Sequence, residues 1–140
     1  ITGTALTVTA DGAGGAILLA GPRIAIGSGA SVAANSSGSG AAGRVDVRAS
    51  DALYLFGGAI IADAAAADGG NIDARAGRII HLRDGEISTS VAGGAGAGGN
   101  IFIDPTFVIL EDGSRIVANA FGGPGGNITL IADYFFASLD

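Results

Sequence analysis

GGNIDARAGRIIHLRDGEIS, residues 69–88, opens with Gly-Gly-Asn-Ile, and the same tetrapeptide returns at 98–101 and at 125–128. Self-similarity at a fixed spacing marks a structural unit. Working outward from it, the first aliphatic position of each unit falls at Ile17, Val45, Ile72, Ile101 and Ile128, with spacings of 28, 27, 29 and 27. A second marker runs Ile24, Leu53, Ile80, Val108, Phe135, and a third Val32, Ile60, Ile87, Ile116. All three registers agree on a period of about 28 residues.

Apolar residues alternate inside each unit: Ile101-x-Ile103 in a first segment, Leu53-x-Leu55 and Ile80-x-Leu82 in a second, Ile60-x-Ala62 and Ile116-x-Ala118 in a third. A period of two predicts strands with one buried face. Ser28-Gly29, Gly57-Gly58, Asp84-Gly85 and Asp112-Gly113 separate the second and third segments and read as turns. A Gly/Ala-rich loop such as VAGGAGAGG or AFGGPGG closes each unit. The Ala run at 62–67 is flanked by Asp and out of register, and carries no helix. Three short strands cannot bury an apolar face alone, so the units must stack. The expected fold is all-β: a right-handed parallel β-helix (β-solenoid) of about five coils of 27–29 residues, three short strands per coil. One domain spans 1–140, with coils starting near 14, 42, 69, 98 and 125 and residues 1–13 ending a preceding coil. An antiparallel hairpin sandwich is the alternative, but it has no reason to repeat at this period.

The Gly-Gly pairs are expected to turn the corner at φ > 0. Asn71, Asn100 and Asn127 then lie above one another and can bond as an amide ladder. Ala16 and Arg44 hold the equivalent places in the earlier units, which confines the ladder to the later coils.

Composition narrows the partners. Net charge is −6, and all seven basic residues are Arg, which argues against nucleic acid and against charge-driven binding to an anionic membrane. Glycine, at 26 of 140 residues, accompanies 49% apolar residues, unlike a disordered Gly-rich chain. There is no Cys, hence no disulfide framework or thiolate metal site, and no apolar run long enough for a membrane helix. With no Met and no leader-like opening, the sequence is expected to be a processed product or a segment of something larger.

The units GGNIDARAGRIIHLRDGEISTSVAGGAGAGGNI and LEDGSRIVANAFGGPGGNI, across residues 69–128, resemble the repeats of filamentous-haemagglutinin-like exoproteins, the β-helical adhesins of two-partner secretion. Residues 14–68 fit the period but lack the GGN and DG signatures. The resemblance implies a secreted rod on the bacterial cell surface, working in adhesion or matrix formation. It implies no particular binding residue.

The residues that could carry chemistry are sparse. GSGAAG at 38–43 and GAGAGG at 94–99 match a dinucleotide fingerprint, but each precedes a strand instead of opening a helix, and both read as flexible corner loops. Asp46 and Asp73 stack beside Arg44, Arg48 and Arg75, at a separation that suits a retaining glycosidase pair. Their Arg neighbours give them an ordinary surface role instead. His81, the only histidine, cannot make a typical zinc site without Cys. The eleven Asp are scattered at the wrong period for a calcium roll, although surface calcium binding stays open. Asn35-Ser36-Ser37 and Asn127-Ile128-Thr129 are glycosylation sequons, on strands of a chain read as bacterial.

No cofactor and no catalysis are expected. A contact surface is expected along Ala25, Tyr54, His81, Ile109 and Phe136, with Ile61 and Val117 outward on the third strand. Tyr134, Phe135 and Phe136 would meet a further layer at the end of the column. The expected partners are neighbouring coils of a longer chain, or copies end to end, and a host-cell or matrix glycan or protein. The reading is the shaft of a surface adhesin. Its alternatives are a self-assembling filament subunit and a glycan-binding or polysaccharide-processing β-helix.

Overall fold

Thirteen strands and no helix make up residues 5–138, the part of the chain that the computed structural model describes. The expected domain also covers 1–4 and 139–140, which lie outside the described residues. In chain order the strands are β1 (Ala5–Ala10), β2 (Ala16–Gly27), β3 (Ser31–Ser36), β4 (Arg44–Phe56), β5 (Ala59–Ile61), β6 (Asn71–Ala76), β7 (Ile79–Arg83), β8 (Glu86–Ser88), β9 (Asn100–Asp104), β10 (Phe107–Glu111), β11 (Arg115–Val117), β12 (Ile128–Leu130) and β13 (Tyr134–Ala137).

Each strand pairs in parallel with its equivalent one coil away, so the chain is a β-solenoid of about five turns. The register reproduces the sequence period. Ile17 pairs with Val45, Val45 with Ile72, Ile72 with Ile101 and Ile101 with Ile128. Two further inward files, Ile24 to Phe135 and Val32 to Ile116, run the same way. Val45, Leu53, Leu55, Ile60, Ile80, Leu82, Ile87 and Ile103 are fully buried. Each such side chain contributes on the order of 2 kcal/mol through removal from water. At the fifth coil burial falls away, and inward Ile128 is 47% exposed and Phe135 52%.

Two features depart from the sequence reading. In the first two coils the first and second strands are continuous: β2 has 12 residues and β4 has 13. The chain bends without leaving the ladder, through an irregularity between Gly21 and Arg23 at Pro22. Accordingly one eight-stranded sheet carries the first two faces and one five-stranded sheet the third.

The glycine corner also differs. Left-handed backbone does not occur at Gly69-Gly70, Gly98-Gly99 or Gly125-Gly126. Glycine is required there because successive coils touch backbone to backbone. A Cβ on Gly43, Gly70, Gly99 or Gly126 would land on the carbonyl oxygen of Gly15, Gly43, Gly70 or Gly99 respectively. The N–H of each of the four also ties the corner to the end of the third strand, on Ala34, Ala62, Thr89 and Ala118. Positive φ appears at the other turn instead, at Ser28 (55°), Gly57 (67°), Asp84 (50°) and Asp112 (53°). Short polar side chains and glycine tolerate that conformation.

The Gly/Ala-rich loops, GSGAAG and GAGAGG among them, are likewise hydrogen-bonded into the stack. Ala42 N–H donates to Asp68, Gly69 to Ala97, Gly98 to Pro124 and Ala92 to Ala64, each across one coil.

Candidate functional site

A strand in this fold buries alternate residues, so function must come from the outward files. On the first strand, one file reads Ala16, Arg44, Asn71, Asn100. Asn127 continues it: its Nδ2 donates to Asn100 Oδ1 at 3.0 Å, and Asn100 Nδ2 donates to Asn71 Oδ1 at 3.1 Å. The three amides thus form one directional ladder with Arg44 at its head.

The next outward file on this face reads Leu18, Asp46, Asp73, Phe102 and Thr129. Arg48, Arg75 and Asp104 form the third. The carboxylates are ion-paired. Arg44 reaches Asp46 at 2.8 Å and Asp73 at 3.7 Å, and Arg75 Nε donates to Asp73 at 2.7 Å. The hydrogen bond from Arg44 holds the Asp46 carboxyl below its ordinary range, with the charges of Arg44, Arg48 and Arg75 acting the same way. Asp46 is thereby stabilised as its anion, held between Arg44 and the guanidinium groups of the neighbouring file. The Arg75 guanidinium also lies 4.8 Å over the Phe102 ring.

The second face carries Ala25, Tyr54, His81, Ile109 and Phe136 in one file. His81 is drawn in more than the sequence implies. Its side chain is 19% exposed, its Nε2 lies 3.0 Å from Glu111 Oε2, and it meets the Phe56 ring edge-on at 4.9 Å. Arg83 covers the Phe56 ring. Tyr134, Phe135 and Phe136 do not present one surface. Alternation turns Phe135 inward onto Val108, while Tyr134 stacks on Phe107 at 4.9 Å and Phe136 lies beside Ile109. All three are more than half exposed.

At the head of the second strand, Asp51 bridges three coils, accepting from Arg23 Nε and Arg78 Nε, each at 2.8 Å. The bonds from Arg78 and then Arg23 lower its pKa to about 2.

The third face holds a polar file that sequence reasoning missed: Thr9, Asn35, Asp63, Ser90 and Asn119, by register and by the bridges that follow it. Asn35 Oδ1 accepts from the Asp63 N–H at 3.0 Å, and Asp63 Oδ1 accepts from Ser90 N–H at 2.6 Å and Ser88 Oγ at 2.9 Å. Burial pushes the Asp63 carboxyl above its ordinary range, against the pull of the Ser90 and Ser88 bonds. The signal was available, since Asn35, Asp63, Ser90 and Asn119 repeat at 28, 27 and 29 residues, like the aliphatic files. Changing residue type hid it.

Among the described residues, no three His, Cys, Asp or Glu side chains gather in a way that would hold a metal ion. Among the same residues, no helix is long and apolar enough to cross a membrane. Set against protein families, curated proteins and solved structures, the chain has no match in any of the three.

Proposed function

We propose that the chain is a non-enzymatic shaft segment of a secreted, cell-surface adhesin, in which stacked coils hold a binding element away from the cell. The observation that supports this most is the continuity of the inward files, from Ile17 to Ile128 and from Ile24 to Phe135. A solenoid of this kind lengthens by one strand spacing, about 4.8 Å, with every coil added. The resemblance of residues 69–128 to haemagglutinin-like repeats points to the same role. The test is surface labelling of the source cells with an antibody to the chain, combined with adhesion of a strain lacking the gene. Surface label and reduced attachment are expected. Label confined to the cytoplasm, or unchanged attachment, overturns the reading.

A second reading has its own observation. Ile128, Ile131, Tyr134, Phe135 and Phe136 are each about half exposed at the fifth coil, where both backbone and core can accept another layer. Copies stacked end to end would cover it. The chain should then form concentration-dependent filaments in electron micrographs, and Phe135→Asp should abolish them. A monodisperse monomer at high concentration removes this alternative while leaving the shaft reading intact.

A further inference from the structure

An open groove of about 450 Å3 runs along the column on the first face. Arg44, Asn71, Asn100 and Asn127 form one wall, Asp73 and Phe102 the other. We propose that this groove binds an extended neutral glycan, laid parallel to the column axis.

Four features favour that ligand. The first is unspent hydrogen-bonding capacity. Asn100 gives one N–H to Asn71 and one lone pair to Asn127, and an amide has two of each. One donor and one acceptor therefore stand ready for a ligand hydroxyl. Asp73 has capacity beyond its two bonds from Arg75, since a carboxylate offers about four acceptor sites.

The second feature is the apolar ring of Phe102, which lies two residues along from the amide file and offers a surface for sugar C–H groups. Arg75 occupies only one side of it. A few directed polar groups beside an apolar surface is the usual make-up of a small-ligand site. The third is charge. Arg44 is matched by Asp46 and Arg75 by Asp73, so the groove has no excess of either sign and gives no advantage to a polyanion. The fourth is periodicity. The amides repeat at the strand spacing of about 4.8 Å, close to the advance of one pyranose along an extended β-linked chain. A peptide would need a free strand edge, and β6 and β9 are paired on both sides.

The groove goes beyond the shaft reading, because a rod can bear it or lack it. The test titrates the isotope-labelled 140-residue chain with β-1,4-linked hexamers of glucose and of N-acetylglucosamine, each to about 10 mM, following side-chain amide resonances by NMR. That range registers any Kd near or below ~1 mM. Shifts should concentrate on the Asn71, Asn100 and Asn127 amides. Asn100→Ala and Phe102→Ser should each weaken binding about tenfold or more, while Arg115→Ser on the third face leaves it unchanged. Because the wild-type shifts locate the site directly, a variant that folds poorly does not obscure the result. Absence of shifts with both hexamers, shifts centred elsewhere, or binding of a sulfated polysaccharide alone would overturn the proposal. None of these outcomes bears on surface display or attachment.

Discussion

At the scale of the residue, two kinds of glycine do different work. Gly99 sits where an added Cβ would strike the Gly70 carbonyl, so Gly99→Ala must force the coils apart. Overpacking of this kind costs about 1–3 kcal/mol or more, and thermal melts followed by circular dichroism should show it. Gly57 has φ of 67°, and an added Cβ would meet only the Ser28 amide nitrogen at an ordinary 3.8 Å, in a turn that holds Ser28, Asp84 and Asp112 in other coils. Gly57→Asn should therefore change stability by less than about 1 kcal/mol. Thr89 raises a different matter. Its hydroxyl is fully buried without a hydrogen-bond partner, in the place held by Ala62 and Ala118. Thr89→Val keeps the shape and removes the unmet group, and should raise stability by roughly 1 kcal/mol in chemical denaturation. Asp63 carries the opposite sign from most surface carboxylates. Its folded pKa is raised by burial, so its contribution is present below the ordinary 3.8 and is lost as pH rises through the folded value. Asp63→Asn keeps the acceptor for Ser90 and Ser88 and removes the charge. Its melting temperature should exceed that of the parent chain at pH 7, and the gap should close below the ordinary carboxyl pKa.

At the scale of the element, the outward files decide how firmly one coil holds the next. Asp51 joins the first three coils through Arg23 and Arg78, and its pKa of about 2 lies below the ordinary 3.8. A depressed carboxylate stabilises the fold above the ordinary pKa, and that contribution disappears as pH falls from about 4 toward 2. Asp51→Asn should flatten the acid limb of the stability profile in that window. Added salt should shrink the difference, because the cluster faces solvent. The inward elements were legible in the sequence because burial on a period-two ladder selects mainly aliphatic residues, and these repeat in kind. The amide ladder was legible because the same residue recurs at Asn71, Asn100 and Asn127. The file through Asn35, Asp63, Ser90 and Asn119 was not, since several polar residues satisfy one outward place. Nor was the reason for the Gly-Gly corner, because close approach of two backbones is a property of the stack and not of the turn. The fusion of the first two strands in β2 and β4 also lay beyond pattern reading, since both the bent and the broken arrangement keep the same residues inward.

At the scale of the whole molecule, the stacking makes a prediction that no single contact makes. If each coil touches only its neighbours, stability is a sum of coil terms and interface terms, and a coil can be removed without loss of the rest. The cut must respect register. Deleting residues 72–100 joins Asn71 directly to Ile101, and Asn71 and Asn100 are register partners. The shortened chain keeps the glycine corner at Gly70, brings Ile101 into the file above Val45, and sets Phe102 above Asp46. It should fold with the same strand content per residue by circular dichroism and unfold cooperatively at a lower melting temperature, having lost one interface. Deleting half as many residues, 86–99, has no such register. It would join Gly85 to Asn100 and remove β8 with the corner that follows it, leaving β5 and β11 without their shared neighbour. That chain should not fold cooperatively. If the two deletions melted alike, or if the in-register deletion were the more damaged, the coils could not be acting as interchangeable layers, and a shaft built by adding them would lose its physical basis.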